Sequence, residues 1–571
     1  MSIEPEYGSD VMVDLLVQMG VEIIPFAPGA TFRGIHDSLL HRDDAPEIIE
    51  CLHEEISVAV AHGYAKARGT MAVAALHDVV GLQHATMAIY NAWCDRVPLL
   101  LLGGTGPVDA ARRRPWIDWI HTANVQGNQV RDYTKWDDQP ASLEAVPESF
   151  VRGRQLATSA PPGPVYLCLD SEIQEQRVPG GFRSVDVSAY PAARPLSPDP
   201  DTVEEIATAL VNARQPLIAV EGVDRRQRGL ELLVELAELL GAAVMEVQRD
   251  YNRTALCMPT AHGHNATGMG LALAPDVVLA LDVRDLHVVP GVEGADVYQV
   301  STAGLAAKAW AADLQRVQTA RALVAAEVTP VLEQLLPRIR KLLAVDAAAQ
   351  AVARERGSAL VAQTASVRAR WEAEARADGD GDVITPAFLA QAIDDETRGI
   401  DRVLANGSLH NWVHRLWSID RVDDYLGSSG GAGLGYGLGA SIGAGLAHRE
   451  TGRLVIDIQS DGDAMMTPGA LWTAAKHRVP LLIVLENNRK WGNSFVHAGL
   501  IARSRTRSET RMGVGTVIDD PAIDFVALAS SMGITDSWRV DRPGDLHAAL
   551  RRGIRVVREE RRPVVIDVRT T

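Results

Sequence analysis

The sequence predicts an α/β protein built of three doubly wound domains with parallel sheets. Short apolar runs of strand length alternate with longer helical patterns along most of the chain, as in βαβ units. At 571 residues the chain exceeds what one hydrophobic core supports, so about two to four domains are expected. Two stretches interrupt the alternation, the Pro-rich Tyr190 to Pro200 (YPAARPLSPDP) and the Ala-, Arg- and Glu-rich Ala347 to Asp382. The first reads as a linker and the second as a solvated helix. The expected division is therefore α/β domains over 1–190, 191–345 and 383–571, with a helical linker over 346–382.

In the first unit the strand patterns are Val21 to Phe26, Glu47 to Cys51, Met71 to Leu76, Leu99 to Leu102 and Val165 to Leu169. Residues at the ends of these strands share one carboxyl edge, the edge at which open α/β sheets bind ligands. There the sequence places Ala27-Pro28-Gly29, His53-Glu54, His77 and Gly103-Gly104. The second unit has strand patterns at Leu217 to Val220, Ala243 to Val247, Val277 to Leu281 and Val297 to Val300. Its first turn, AVEGVDRRQRG, lacks the closely spaced glycines of a dinucleotide fingerprint, which argues against bound FAD or NAD. The acidic run Asp378 to Asp382 (DGDGD) lacks the ligand spacing and terminal Glu of a calcium-binding loop, so it reads as a linker turn. In the third unit the strands are Arg402 to Ala405, Arg453 to Gln459, Pro480 to Leu485 and Pro563 to Val568. Thr467-Pro468 reads as a helix start, with a capping hydroxyl and Pro at the first helical position.

Composition narrows the function classes. With 47% apolar and 23% charged residues the chain is ordinary for a globular protein, and no run approaches the ~20 apolar residues of a membrane span. The net charge of -17 opposes general nucleic-acid binding, which rests on Lys and Arg contacts to phosphate. Cys51, Cys94, Cys168 and Cys257 are far apart and form no CxxC pair, so reduced buried thiols are expected. The N-terminus, MSIEPEYGSD, has no basic region followed by an apolar one, and a cytoplasmic enzyme is the expectation.

The most informative stretch is Ser460-Asp461-Gly462-Asp463, followed after one helix by Glu486-Asn487-Asn488. Two parallel strands joined by a right-handed crossover bring Asp461 and Asn488 to the same sheet edge. A carboxylate and an amide oxygen suit a hard cation such as magnesium, which leaves positions for water and phosphate oxygens. Gly462 allows close approach of an anion to the backbone.

These residues, with the helix between them, resemble the thiamin-diphosphate motif of the superfamily of pyruvate oxidase, acetolactate synthase and benzoylformate decarboxylase. Ser460 departs from the usual Gly. The resemblance extends over nearly the full chain and implies a pyrimidine-binding first domain, a central domain, and a third domain that binds diphosphate and Mg²⁺. It implies Mg²⁺ held by Asp461, Asn488 and the carbonyl of Lys490, with Gly462 and Asp463 beside the diphosphate. The segment HEEISVAVAHGYAKARG is similar to the one bearing the family's catalytic glutamate. Glu54 matches it better than Glu55, and its implied role is a hydrogen bond to the pyrimidine ring. LHDVVGLQHATMAIYNAW resembles the benzoylformate decarboxylase branch at its active-site histidine, His77, a residue type suited to proton transfer near neutral pH. WIHTANVQGNQVRDYTKW resembles a substrate-facing segment of acetolactate synthases and offers His121 in place of Gln.

In the glycine-rich GGAGLGYGL of Gly430 to Leu438, the resemblance makes Leu434 the apolar wedge beneath the cofactor and sets the Ala432 carbonyl at the aminopyrimidine. Ser408 and Leu409 fall near the diphosphate. The implied activity is a ThDP- and Mg-dependent decarboxylase or carboligase. It would act on a small 2-oxo acid through an acyl-anion/enamine intermediate, with or without an aldehyde or ketone acceptor. A lyase acting on 2-hydroxyacyl-CoA or a 1,2-diketone, and a noncatalytic ThDP-binding assembly protein, stay open. In the family the two ends of one cofactor are gripped by different subunits, which implies a homodimer or homotetramer.

Overall fold

A computed structural model describes residues 4–115, 117–247, 255–306, 319–379 and 381–571. Asp380 of the acidic run and the first three residues of the N-terminal segment lie outside the described residues. The first sheet contains β1 (Ile23–Phe26), β2 (Glu47–Glu50), β3 (Ala72–Leu76), β4 (Leu99–Thr105), β5 (Trp136–Asp138) and β6 (Val165–Asp170) in the order β2-β1-β3-β4-β6-β5. The second contains β7 (Pro216–Val220), β8 (Ala243–Glu246), β9 (Val277–Leu281), β10 (Asp296–Val300) and β11 (Ala322–Val324), ordered β11-β10-β9-β7-β8. The third contains β12 (Arg402–Asn406), β13 (Leu454–Ser460), β14 (Leu481–Asn487), β15 (Ser537–Val540) and β16 (Val564–Arg569), ordered β12-β13-β14-β16-β15. The strand pairs within these three sheets are parallel. Three α/β domains with parallel sheets are thus what the alternating pattern predicted.

Three strands have no counterpart in the sequence pattern: β5, β11 and β15. Each lies at the edge of its sheet. An edge strand of three or four residues packs on one side only, so it has no continuous apolar run to reveal it.

A second difference lies beside the Asp461 motif. Thr467-Pro468 does not open a helix. The chain forms a short helix, Asp461–Ala464, directly off β13, and the crossover helix begins at Ala470 after Gly469. The Thr467 hydroxyl instead donates to the Gly435 carbonyl at 2.9 Å. A tertiary acceptor has taken the hydroxyl that local sequence reserved for a cap.

Helix Ala347–Asp378 lies over the second domain, where Arg356 donates to the carbonyls of Leu240, Gly241, Ala213 and Arg214. The third domain shares a core with each of the others. One cluster joins Leu233 and Leu335 to Leu404, Trp417 and Ile456, and another joins Val60, Leu82 and Leu101 to Leu438, Ile442 and Ile483. At the second junction helix Glu54–Arg68 crosses helix Tyr436–Ala447 at glycines. A Cβ on Gly63 would lie 1.9 Å from the Ala440 carbonyl oxygen, and one on Gly443 2.0 Å from that of Val60. Only glycine permits so close a crossing.

Candidate active site

The site residues of the first domain stand at the carboxyl ends of β1, β2 and β3. Glu54 opens helix Glu54–Arg68, where His53 caps the helix by accepting from Glu55 N. The Glu54 carboxylate is nearly enclosed, with Oε2 3.0 Å from His84 Nδ1. His84 is stacked on His53, ring centroids 4.7 Å apart. Gly81 makes room for the carboxylate, since a Cβ there would fall 2.9 Å from Glu54 Oε1. Its neighbour Glu55 turns toward the third domain, and a Cβ on Gly435 would lie 2.8 Å from Glu55 Oε1. Burial, aided by the charge of Asp463, pushes the Glu55 carboxyl up to about 7.

His77 follows β3 and lies over Gly29, where a Cβ would come within 2.2 Å of the ring. Its Nδ1 is 3.0 Å from Thr31 Oγ1 and its Nε2 3.2 Å from Asp78 Oδ2. The same carboxylate oxygen lies 3.4 Å from His121 Nδ1, and the two rings meet edge to face at 5.5 Å. Asp78 is fully buried and caps helix Val79–Cys94 through Val80 N. Burial lowers the His77 pKa and raises that of Asp78, while the attraction between the two works against both shifts. Sequence reasoning therefore finds His77 and His121 but misses the carboxylate between them. It ranks His84, like His53, as less specific than His77, although His84 is the direct partner of Glu54. Asp78 has a readable signal as the N-cap before VVGLQHATMAIY, whereas the place of His84 follows only from the packing of two helices.

The site residues of the third domain stand at the adjacent ends of β13 and β14, where Ser460 is in register with Glu486. Ser460 is exposed and extended, with φ -78° and ψ 148°, so the side chain that replaces the usual Gly is accommodated without strain. Asp461 is buried. It accepts from Gly462 N at 2.8 Å and from Arg489 N at 2.6 Å. Burial, with the Glu486 charge adding to it, outweighs these bonds and raises the Asp461 carboxyl to about 6. Asn488 Oδ1 accepts from Lys490 N at 3.0 Å, while the Lys490 ammonium lies 5.1 Å over the Phe495 ring, engaged elsewhere. Asp463 accepts from Gly435 N and from Gln459 Nε2, each at 2.5 Å. Gly462 abuts the Trp491 indole, which a Cβ would meet at 2.7 Å, so Trp491 packs against the motif.

Five of the twelve residues other than glycine that have positive φ among the described residues fall in the same segments. Leu409, His410 and Asn411 have φ of 50°, 53° and 70°, Ala432 has 52° and Arg489 59°. Residues other than glycine in this region cost about 1–3 kcal/mol each and cluster where function fixes the backbone. Ser408 precedes the first of these runs, its Oγ 3.4 Å from Asn411 N. Leu434 is 43% exposed, so it is not plain core. Arg503 pairs with Glu509 on the surface beyond Trp491.

The donor set fits a hard divalent cation. Asp461, Asn488 and the Lys490 backbone offer oxygens at neighbouring strand ends, and Asp461 is a buried carboxyl whose hydrogen bonds come from backbone amides. A cation bound there would supply a counter-charge. Among the described residues no hydrogen bond joins Glu54 or His77 to Asp461 or Asn488. A separate cavity of about 390 Å³, lined by Lys66, Asp95, Arg225 and Arg284, contains none of these site residues.

Comparison with known proteins places both clusters in matched regions. Residues 7–130 match the N-terminal TPP binding domain of the thiamine pyrophosphate enzymes, and residues 405–568 match their C-terminal TPP binding domain. Benzoylformate decarboxylase of Pseudomonas aeruginosa is 28% identical over 543 residues, covering 91% of this chain and 91% of that one. Acetolactate synthase 1, chloroplastic, of Oryza sativa subsp. japonica is 24% identical over 598 residues, covering 99% of this chain and 85% of its own. In fold, the chain is similar to the solved thiamine diphosphate-dependent 4-hydroxybenzoylformate decarboxylase of Rhodococcus jostii, with a TM-score of 0.78, 21% identity and 99% of each chain covered. With both binding domains matched over about half of its length, and the Glu54 and Asp461 clusters inside them, the chain belongs to the thiamine pyrophosphate enzyme family.

Proposed function

We propose that this protein is a ThDP- and Mg²⁺-dependent enzyme that decarboxylates a small 2-oxo acid, then releases the aldehyde or passes the acyl unit to a second carbonyl compound. The observation that carries the reading is the His77-Asp78-His121 cluster at the same sheet edge as Glu54. It sets proton carriers beside the glutamate that family resemblance assigns to the cofactor. When bound, ThDP supplies a carbon nucleophile and an electron sink. Residues 1–190 would grip its pyrimidine end and 383–571 its diphosphate, with 191–345 and the helix 346–382 completing the chain.

Asp461, Asn488 Oδ1 and the Lys490 carbonyl hold Mg²⁺ in this reading. Gly462, Asp463, Ser408 and Leu409 line the diphosphate, while Ala432 and Leu434 set the cofactor's bend and orientation. Glu54 holds a proton against the pyrimidine ring, its carboxyl aligned by His84. His77 moves a proton to or from substrate, its Nδ1 beside Thr31 and its Nε2 beside Asp78, a carboxylate whose charge it shares with His121. Relatives named for 2-oxo acid chemistry support the substrate class. Four free, buried cysteines suit a reducing cytoplasm.

The test pairs calorimetry with turnover. The wild-type protein should bind ThDP only with Mg²⁺ and release CO₂ from at least one member of a 2-oxo acid panel offered with and without aldehyde acceptors. Asp461→Ala should lose the Mg²⁺-dependent binding, because it removes the charged ligand. Equal affinity in wild type and variant would remove Asp461 from the metal site, and bound ThDP without turnover across the panel would defeat the enzymatic reading.

A further inference from the structure

We propose that Lys66, together with Asp95 and Asn91 of the first domain, is a positioning device that holds the loop Ser428 to Gly435 of the same chain in its cofactor-ready shape. The inference rests on the reading above, in which Ala432 and Leu434 of that loop face the cofactor. Lys66 lies on the inner face of helix Glu54–Arg68 and its ammonium is fully enclosed. It forms an ion pair with Asp95 Oδ2 at 2.5 Å and donates hydrogen bonds to Tyr436 OH at 2.9 Å and to the Ser428 carbonyl at 3.0 Å. The last two bracket the loop at its two ends. His62, equally enclosed, puts Nε2 2.9 Å from the same Asp95 oxygen.

Asn91 holds the middle. Its Oδ1 accepts from Ser429 Oγ at 2.6 Å and from Gly433 N at 3.3 Å, and its Nδ2 donates to the Gly433 carbonyl at 3.3 Å. The loop lies flat on these helices because its glycines leave no gap: a Cβ on Gly430 would fall 2.3 Å from Asp95 Oδ1, and one on Gly433 2.2 Å from Met87. Between these anchors Ala432 is held at φ 52°, a conformation that a free loop would leave. The far end is tied to the diphosphate segment through Gly435 N on Asp463 and Thr467 Oγ1 on the Gly435 carbonyl.

Packing alone does not explain the arrangement. Burying an ammonium, a carboxylate and an imidazole costs desolvation that apolar side chains of like volume would avoid. Charged groups add directional bonds to specific backbone atoms, here the carbonyl of Ser428 and, through Asn91, both polar groups of Gly433.

Lys66→Met/Asp95→Asn removes both members of the ion pair together, and Ser429→Ala removes one bond from the loop side. Hydrogen exchange of apoprotein peptides is read for residues 428–436 and, as the internal control, for β13 and β14. Expected is faster exchange confined to the loop, about tenfold for each variant, with a matching rise in the Kd for ThDP measured with saturating Mg²⁺. If the double variant does not fold, Ser429→Ala decides alone. Wild-type exchange in the loop of a folded variant would overturn the inference. Should wild-type protein fail to bind ThDP, the cofactor reading falls, while the exchange result still reports whether the clamp orders the loop.

Discussion

At the scale of single residues, the two neighbouring glutamates show how position on a helix separates roles. Glu54 turns to His84 within its own domain, and Glu55 turns across the junction to Gly435 and Asp463. A carboxyl whose folded pKa exceeds its unfolded one stabilises the fold fully below the unfolded value and loses that contribution as pH rises through the folded value. For Glu55 the unfolded value is 4.5 and the folded value about 7. The apoprotein should therefore lose stability as pH rises across that window, and Glu55→Gln should flatten the loss. Urea midpoints measured through the window check this, and parallel slopes for the two proteins would refute it. His77→Ala should keep ThDP bound but slow turnover by ~10² to 10⁴-fold, the usual contribution of a proton-transfer group. Unchanged turnover on the best substrate would return His77 to a structural role. Glu54, His77 and Asp461 are legible in the sequence because each follows a strand pattern at a ligand-binding edge. Asp78 shows there only the local signal of an N-cap, and His84 and Lys66 do not stand out, since their significance lies in partners remote in sequence or contributed by another element.

At the scale of elements, burial on both faces decides what can be read. Central strands such as LVIDIQ and VYLCLD carry continuous apolar runs, and all appear in the sequence pattern, whereas β5, β11 and β15, each at a sheet edge, do not. Thr467-Pro468 has the local chemistry of a helix start, yet a carbonyl 32 residues earlier in the chain takes the hydroxyl. The crossing of helices Glu54–Arg68 and Tyr436–Ala447 likewise depends on glycines whose importance is invisible without the partner helix. Gly63→Ala should cost about 1–3 kcal/mol or more, because the new methyl meets backbone rather than a movable side chain. Gly180→Ala, with nothing within 4 Å of its Cβ, serves as the neutral control. Equal urea midpoints for the two variants would show that the junction relaxes freely.

At the scale of the whole molecule, the glutamate cluster belongs to the first sheet and the Asp461 cluster to the third, and the shared core between them is closed by the helix crossing. Within one chain, then, the junction presents Glu55 rather than Glu54 to the segment carrying Asp463. The Glu54 carboxylate is directed to His84 in its own domain, so in the proposed reading it would meet the pyrimidine ring of a cofactor whose diphosphate end is held elsewhere. A second copy of the chain can supply that end, and a symmetric dimer would then make two such sites at once. Mixing Glu54→Gln protein with Asp461→Ala protein tests this arrangement. If subunits exchange, a mixed dimer contains one site with both residues mutated and one with both intact, so activity should reappear in a mixture of two inactive proteins. The recovered rate should track the heterodimer fraction measured by native mass spectrometry. Heterodimers formed in quantity without recovered activity would mean that each chain completes its own site, and that Glu54 reaches its own Asp461 cluster by a rearrangement of the first domain against the third.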